Sequence, residues 1–248
     1  MSLRFHEIAE ATHRILNPFT EDQLMLLGDI CRLNATTHQL DLCCGKAEML
    51  SRWAQRYGSH GVGVDISKVF LAAGRERTAE LGVEANVTLV EADASTYPIP
   101  AAGFDILSCI GATWIGNGLV GTLNMMKRGL KDRDSLLLVG EPFWIDEPPE
   151  EAYDVVLDGD REMFVTLPKT LDRLESTGLK LVEMVIADHY GWDRYEAMQW
   201  MAVDDWLRAN PDDPDAAELR EWSEGSKHAY LQYGRRYFGW GVFVLRQS

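Results

Sequence analysis

The sequence predicts an α/β protein built on a mostly parallel β-sheet that is covered by helices on both faces. Between residues 36 and 141, apolar runs of strand length alternate with helix-length segments, an order typical of parallel sheets. A second observation is the terminal run WGVFVLR, which follows a helical stretch rich in Trp and Tyr. We expect it to form a last strand that pairs with the preceding strand, LKLVEMVIAD.

The first forty residues predict two helices. RFHEIAEATHRIL places apolar residues on one face and is broken by Asn17-Pro18, because a residue before proline disfavours the α conformation. TEDQLMLLGDICRL restarts with Thr20 as N-cap and acids in the first turn.

The segments that follow predict the strands and helices of the sheet. One helix ends at Gly58, and the next begins after Ser67 and ends at Gly82, which are common capping residues. The predicted strands are THQLDLC, GVGVDIS, NVTLVEAD, FDILSCIGA, DSLLLVGEP, LKLVEMVIAD and WGVFVLR. The predicted helices between and after them include AEMLSRWAQRYG, SKVFLAAGRERTAELG, LVGTLNMMKRGL and TLDRLESTG.

The charge balance favours a small-molecule partner. The 248 residues include 39 acidic and 24 basic side chains, for a net charge of −15, which disfavours nucleic acid and anionic membranes as partners. The four cysteines form no CxxC or His/Cys zinc pattern, so we expect no metal site. The amino-terminal segment lacks the apolar core of a signal peptide, and we expect a cytoplasmic protein. The oligomeric state is left open.

Acidic residues stand where two of the predicted strands end, which is where ligands bind in open α/β sheets. Asp65 follows Asp41 by 24 residues, and its carboxylate has the two acceptor oxygens that the hydroxyls of a ribose need. The alternative, a helix cap, suits Ser67 better. Asp93 ends the third strand and fits the amino edge of adenine, although a turn-forming aspartate is also common.

Four motifs in register, LDLCCGKAE, GVGVDIS, VEADA and FDILSCIGA, resemble the core of class I S-adenosylmethionine-dependent methyltransferases. The resemblance covers residues 36 to 141, and GWGVFVL suits the last strand of that fold. It implies a seven-stranded sheet of order 3-2-1-4-5-7-6, with strand 7 antiparallel, and S-adenosylmethionine as cofactor with S-adenosylhomocysteine as product. A hydride-transfer Rossmann protein is the nearest rival, but its G-x-G-x-x-G is reduced here to Gly45.

The resemblance also implies roles for individual residues. Asp41 would lie near the methionine amino group, and Cys44, Gly45 and the backbone up to Ala47 would surround the methionine end. The remaining implied cofactor contacts are Asp65 to the ribose, Ile66 packed on adenine, Asp93 and Ala94 at the adenine edge, and Cys109 and Ile110 beside the methionine end.

The first turn departs from the D-x-G-x-G-x-G loop of that family. Its three glycine positions hold Cys43, Gly45 and Ala47, and we expect Cys43 to keep a negative φ, because left-handed backbone favours glycine. The start of a helix lowers the pKa of a thiol, so Cys43 could be reactive. Packing is, however, the commoner role of a small buried cysteine. Lys46 is either a contact to the cofactor carboxylate or a solvated side chain.

Candidates for a general base are Glu141, at the end of the fifth strand, and His189, after the sixth. Alternative interpretations are a solvated turn acid and a structural histidine. Aromatic residues in the covering segments suggest a pocket for an apolar, aromatic or cationic acceptor, with core packing as the alternative. The predicted substrate-facing residues are Trp114, Phe143, Trp144 and Tyr190.

Together these features predict a methyltransferase acting on a small molecule, in one domain spanning residues 1–248. We expect a helical lid at 1–35, a cofactor-binding core at 36–141, a substrate-side cap at 142–235 and a last strand at 236–248. Two alternatives stay open: a cofactor-binding protein without transferase activity, and transfer of another group from a modified sulfonium.

Overall fold

The computed structural model describes residues 2–248, in which seven strands form one sheet. The strands are β1 (His38–Leu42), β2 (His60–Asp65), β3 (Val87–Glu91), β4 (Ile106–Ile110), β5 (Leu136–Trp144), β6 (Leu179–Ile186) and β7 (Phe238–Gln247). The helices are α1 (Leu3–Ala9), α2 (Glu21–Ile30), α3 (Glu48–Tyr57), α4 (Lys68–Leu81), α5 (Leu119–Met126), α6 (Glu150–Leu157), α7 (Leu167–Glu175), α8 (His189–Ala209), α9 (Ala216–Ala229) and the short α10 (Arg235–Tyr237).

The sheet has the strand order β3-β2-β1-β4-β5-β7-β6. The pairs from β3 to β5 are parallel, whereas β7 runs antiparallel to both β5 and β6. Both the order and the direction of the last strand confirm the expected fold class.

The apolar strands are explained by burial on both faces of the sheet. In β4, Ile106 packs into one hydrophobic cluster and its neighbour Leu107 into the other, and both are fully or almost fully buried. Successive strand residues point to opposite faces, so a strand covered on both sides must be apolar throughout. The residues free of this demand are those beyond the strand ends, where the candidate site lies.

Helix α1 ends at Ala9 and does not continue to Leu16 as the amphipathic pattern predicts. The Nζ of Lys46 donates hydrogen bonds to the carbonyls of Glu10, Ala11 and His13, at 2.7, 3.0 and 2.7 Å. These carbonyls are groups that a longer helix would use internally, so a tertiary contact replaces the last turns.

Residues 10–19, called the strap below, cross the carboxyl edge of the sheet. A Cβ on Gly45 would lie 2.6 Å from Cδ1 of Leu16, and a Cβ on Gly111 would lie 2.5 Å from Oδ1 of Asn17. The strap is therefore packed directly on the loops that follow β1 and β4.

The sequence predicts no helix between the third and fourth strands, and the connection between β3 and β4 contains turns and no helix. One other expectation is corrected. Strand β5 continues to Trp144 because it pairs along its full length with β7, including Glu141 opposite Gly241. Glu141 therefore lies within β5 and not at its end.

Candidate active site

A cavity of about 910 Å³ opens along the carboxyl edge of the sheet, beneath the strap. Its wall includes loop residues after β1, β2, β3 and β4, together with residues of β5, α8 and the strap. The predicted site residues that line it are Asp41, Cys43, Cys44, Gly45, Lys46, Asp65, Ile66, Asp93, Ala94, Ile110, Trp114 and Glu141.

The loop between β1 and α3 has left-handed backbone at all three positions where the resembled family has glycine. The φ angles are 59° at Cys43, 54° at Gly45 and 53° at Ala47. The expectation of a negative φ at Cys43 is therefore wrong. Hydrogen bonds hold this conformation: the Cys44 amide donates to the Val64 carbonyl at 3.0 Å, and the Gly45 amide donates to Oδ2 of Asp65 at 2.8 Å. The loop keeps its shape at a conformational cost of ~1–2 kcal/mol for each non-glycine residue.

Cys44 and Cys109 make packing contacts and show no sign of a reactive thiol. Sγ of Cys44 occupies the space above Gly63 of β2, where a Cβ would lie 2.7 Å from it. Burial raises the pKa of the Cys44 thiol, and contact with the Cys43 thiol and burial raise that of Cys109. Raised pKa values oppose thiolate formation. Cys109 is fully buried beneath the cavity wall, and its neighbour Ile110 reaches the cavity instead.

The acid at the end of β2 is held by backbone amides. Oδ2 of Asp65 accepts from Gly45, and Oδ1 accepts from Ser67 at 2.8 Å. Burial raises the pKa of Asp65, and these amide hydrogen bonds oppose the rise. Each carboxylate oxygen has a second lone pair, so the group is oriented toward the cavity with acceptor capacity left. Ile66 beside it is 56% exposed.

Asp93 lies at the far rim of the cavity. Its Oδ1 accepts from the amide and hydroxyl of Ser95 at 2.8 and 2.7 Å, and these bonds lower its pKa. Ala94, next to it, is buried against the core. The turn after β3 thus presents a fixed carboxylate and a small apolar surface.

Asp41 lies near the middle of the cavity and is buried. Its Oδ1 accepts a hydrogen bond from the Ser108 hydroxyl at 2.6 Å, and Ser108 also accepts from Gln39. Burial raises the pKa of Asp41 to about 7, more than the Ser108 hydrogen bond lowers it. A buried carboxylate with one hydroxyl partner favours a neighbouring cation.

Lys46 matches neither sequence interpretation, because its ammonium is neither solvated nor free for a ligand. It joins the β1–α3 loop to three strap carbonyls, and burial lowers its pKa.

Glu141 reaches the cavity from the middle of β5 and is 4% exposed. Its Oε2 accepts a hydrogen bond from Oγ1 of Thr113 at 2.8 Å. Burial raises the pKa of Glu141 to about 7, against a lowering by the Thr113 hydrogen bond and by Arg173. The guanidinium of Arg173 is itself bonded to the carbonyl and carboxylate of Glu162. An acid with a pKa near neutrality is suited to accept a proton.

Besides Cys109, four predicted residues lie outside the cavity wall. Phe143 and Trp144 are 4% and 1% exposed and pack into hydrophobic clusters, because the continuing β5 buries both. His189 and Tyr190 begin α8 on its exposed side and are absent from the cavity wall. The expectations that they act as base or face a substrate are corrected.

Tyr195, one of the aromatic residues expected in the covering segments, and Gln199, which was not predicted, line the cavity from α8. Both donate to Oε1 of the buried Glu10 at 2.7 Å, and Oε2 of Glu10 lies 3.2 Å from Nδ1 of His13. Trp240 also lines the cavity and was not predicted. The i, i+4 spacing of Tyr195 and Gln199 was the available signal, but it did not separate this face from core.

The sheet order with an antiparallel β7 is that of the class I methyltransferase fold, and the oriented acid at the end of β2 and the carboxylate after β3 fit it. Residues 40–133 match the family model described as "Methyltransferase domain". The chain is 41% identical to Escherichia coli (strain K12) YjhP over 243 residues, 98% of this chain and 97% of that one.

Solved structures agree. A methyltransferase from Geobacter sulfurreducens, crystallised with S-adenosylhomocysteine, is 41% identical with a TM-score of 0.94, covering 100% of this chain and 99% of its own. A methyltransferase from Thiobacillus denitrificans, also with S-adenosylhomocysteine, is 37% identical with a TM-score of 0.93, covering 100% and 99%. The chain belongs to the S-adenosylmethionine-dependent methyltransferase family.

Two further features concern partners. Across residues 2–248, no helix combines the length and apolarity needed to cross a bilayer. Within the same residues, no three His, Cys, Asp or Glu side chains converge as metal ligands would.

Proposed function

We propose that the protein transfers the methyl group of S-adenosylmethionine to a small-molecule acceptor bound between the cofactor and Glu141. The observation that carries this proposal is the single cavity that extends from Asp65 and Asp93, past Asp41, to Glu141. Its two ends suit a nucleoside and an acceptor, and the strap above it limits the access of bulk water.

The residues present fit the cofactor. Asp65 retains lone pairs for two ribose hydroxyls, and the exposed Ile66 side chain offers an apolar surface for adenine. Asp93 has a carboxylate at the rim for the adenine amino group. The left-handed turn at Cys43, Gly45 and Ala47 brings backbone close to the cavity where the methionine end would bind.

The buried Asp41 would pair with the cofactor's cationic groups. When bound, S-adenosylmethionine supplies a methyl group on a sulfonium that is open to in-line displacement.

The protein's own contribution is orientation and proton acceptance. Cavity walls from β5, α8 and the strap hold the acceptor beside the methionine end, which removes much of the entropic cost of reaction. Glu141 is the proposed base, and the Thr113 hydroxyl fixes the direction of its carboxylate. Trp114, which is 70% exposed at the cavity wall, is the proposed contact to the outer part of the acceptor.

The divisions of the chain receive proposed roles in the same way. Residues 1–35 cover the cavity, 36–141 hold the cofactor, 142–235 form the acceptor side and 236–248 complete the sheet. The net charge of −15 supports a small acceptor over nucleic acid.

Two measurements on the intact chain test the proposal. Calorimetric titration with S-adenosylhomocysteine is expected to show saturable binding, and the absence of heat and of thermal stabilisation at millimolar ligand would contradict it. Incubation with cofactor carrying a labelled methyl group and a metabolite extract is expected to label a small product. Binding without any labelled product in extracts of several sources would favour the alternative of a binding protein without transferase activity.

A further inference from the structure

We propose that the acceptor is an apolar organic amine, which arrives as an ammonium ion, and not a phosphorylated or carboxylated compound. This inference rests on the proposed function and names the acceptor class for the same cavity. Four features support it. The basic side chains at the cavity already have partners, and the buried acid Glu141 has no cationic partner in the described part of the chain. Aromatic rings line the cavity, and the chain has a negative net charge.

The basic side chains at the cavity are already engaged. Among residues 2–248, the Lys and Arg side chains that line it are Arg14 and Lys46. Arg14 is 3.3 Å from the carboxylate of Glu80 on the outer surface, and Lys46 is bonded to three strap carbonyls. An anionic acceptor would lose its hydration without gaining a charged partner, which is strongly unfavourable.

The acceptor end instead contains an acid that lacks a cation. Glu141 is nine-tenths buried or more, and its hydrogen-bond donor is the neutral hydroxyl of Thr113. Arg173, whose charge lowers the pKa of Glu141, is itself bonded to Glu162. A buried carboxylate is stabilised by a paired charge, and an ammonium in the cavity supplies that charge.

Aromatic rings form much of the cavity wall on the side of the strap and α8. Phe19 meets Trp240 edge to face with ring centres 4.8 Å apart, and Trp192 lies 6.1 Å from Tyr195 at 69°. Aromatic faces attract cations by ~0.5–2 kcal/mol and also accept apolar surface. An amine with an aromatic or alkyl body matches both properties.

The charge of the whole chain acts in the same direction. A net charge of −15 raises the local concentration of cations and lowers that of anions. The net charge speeds the encounter of a cation with the protein, whereas Glu141 and the aromatic rings stabilise the bound ammonium.

The chemistry balances with Glu141 as the proton acceptor. The ammonium transfers one proton to the Glu141 carboxylate, and the nitrogen lone pair then forms the new N–CH₃ bond. The S–CH₃ bond breaks with its electron pair remaining on sulfur, so the positive charge passes from sulfur to nitrogen.

The test uses the intact protein saturated with S-adenosylhomocysteine and sets of ligands that share a skeleton, such as 2-phenylethylamine, 2-phenylethanol and phenylacetate. A panel of aryl- and alkylamines with their matched alcohols and carboxylates is titrated by calorimetry at low salt. For the skeletons that bind, the amine is expected to bind at least roughly tenfold more tightly than the carboxylate. A carboxylate that binds as well as its amine, or a panel in which no amine binds at millimolar concentration, would overturn the inference.

A variant sharpens the result. Glu141→Gln is expected to remove the advantage of the amine over the alcohol while S-adenosylhomocysteine still binds, and an unchanged ratio would overturn the role given to Glu141. If the variant does not fold, the wild-type comparison of the three ligands still decides. Failure to bind S-adenosylhomocysteine contradicts the proposed function, whereas cofactor binding without amine preference contradicts this inference alone.

Discussion

The buried carboxyl of Glu141 gives a quantitative prediction about the pH dependence of stability. Its pKa is about 7 in the folded protein against an ordinary value of 4.5, because burial disfavours the charged form. At about 1.4 kcal/mol per pKa unit, this difference corresponds to about 3 kcal/mol. The replacement Glu141→Gln, which cannot ionise, removes this contribution.

The sign follows from which state holds the proton more tightly. The folded protein binds the Glu141 proton better than the unfolded chain, so the stabilisation is complete below pH 4.5 and is lost as the pH rises through 7. Wild type is therefore expected to lose about 3 kcal/mol more than Glu141→Gln over this window. The pKa values of Asp41, Glu10 and Glu196 are also raised. The free energy of unfolding of Glu141→Gln is therefore still expected to fall with pH, but less steeply than that of wild type.

The assay is urea unfolding of the ligand-free protein at several pH values between 4 and 8.5, followed by fluorescence. Glu224→Gln, which changes an exposed acid of α9 by the same charge, is the matched control and is expected to keep the wild-type slope. Equal slopes for wild type and Glu141→Gln would refute the argument that Glu141 is buried without a cation.

Three other predictions concern the loop between β1 and α3 and the Asp65 carboxylate that holds it. Cys43→Gly is expected to stabilise the protein by about 0.5–1 kcal/mol in urea unfolding, because relief of the left-handed backbone outweighs the added freedom of the unfolded chain; lower stability than that of Cys43→Ser would contradict this. Lys46→Met is expected to speed amide hydrogen exchange in the strap roughly tenfold, since three carbonyls lose their donor. Unchanged exchange would show that the Lys46 ammonium does not stabilise the strap. Asp65→Asn is expected to weaken S-adenosylhomocysteine binding at least roughly tenfold in calorimetry, because the amide cannot accept from the Gly45 and Ser67 amides and from ribose hydroxyls together; equal affinity would argue against the ribose contact.

The sheet could be predicted because its physical signal is local. Strands buried on both faces must be apolar throughout, and their lengths and spacing are visible in the sequence. The capping residues Thr20, Ser67, Gly58 and Gly82 also occupy the predicted positions, since a cap depends on a few neighbouring atoms. The acids at the ends of β1 and β2 and after β3 then reach the cavity, because parallel strands end at one edge.

The errors occurred where a distant contact decides the local structure. Helix α1 ends early because Lys46, far along the chain, takes its carbonyls. Cys43 adopts left-handed backbone because the Val64 carbonyl and the Asp65 carboxylate hold the next two residues, Cys44 and Gly45. No pattern within either segment contains that information.

The acceptor side was the least predictable part. Phe143 and Trp144 were expected in the pocket, but pairing of β5 with β7 continues past Glu141 and buries both. Tyr195 and Gln199 reach the cavity only because α8 packs on α1 and its strap. An amphipathic helix reveals its buried stripe, yet it does not reveal whether core or cavity lies beneath.

A crystal structure of the protein with S-adenosylhomocysteine would show whether one cavity holds the cofactor between Asp65 and Glu141. We expect the ribose at Asp65, adenine over Ile66, and the sulfur facing the part of the cavity that contains Glu141. A ligand bound with its sulfur turned away from Glu141, or outside this cavity, would refute the proposed function.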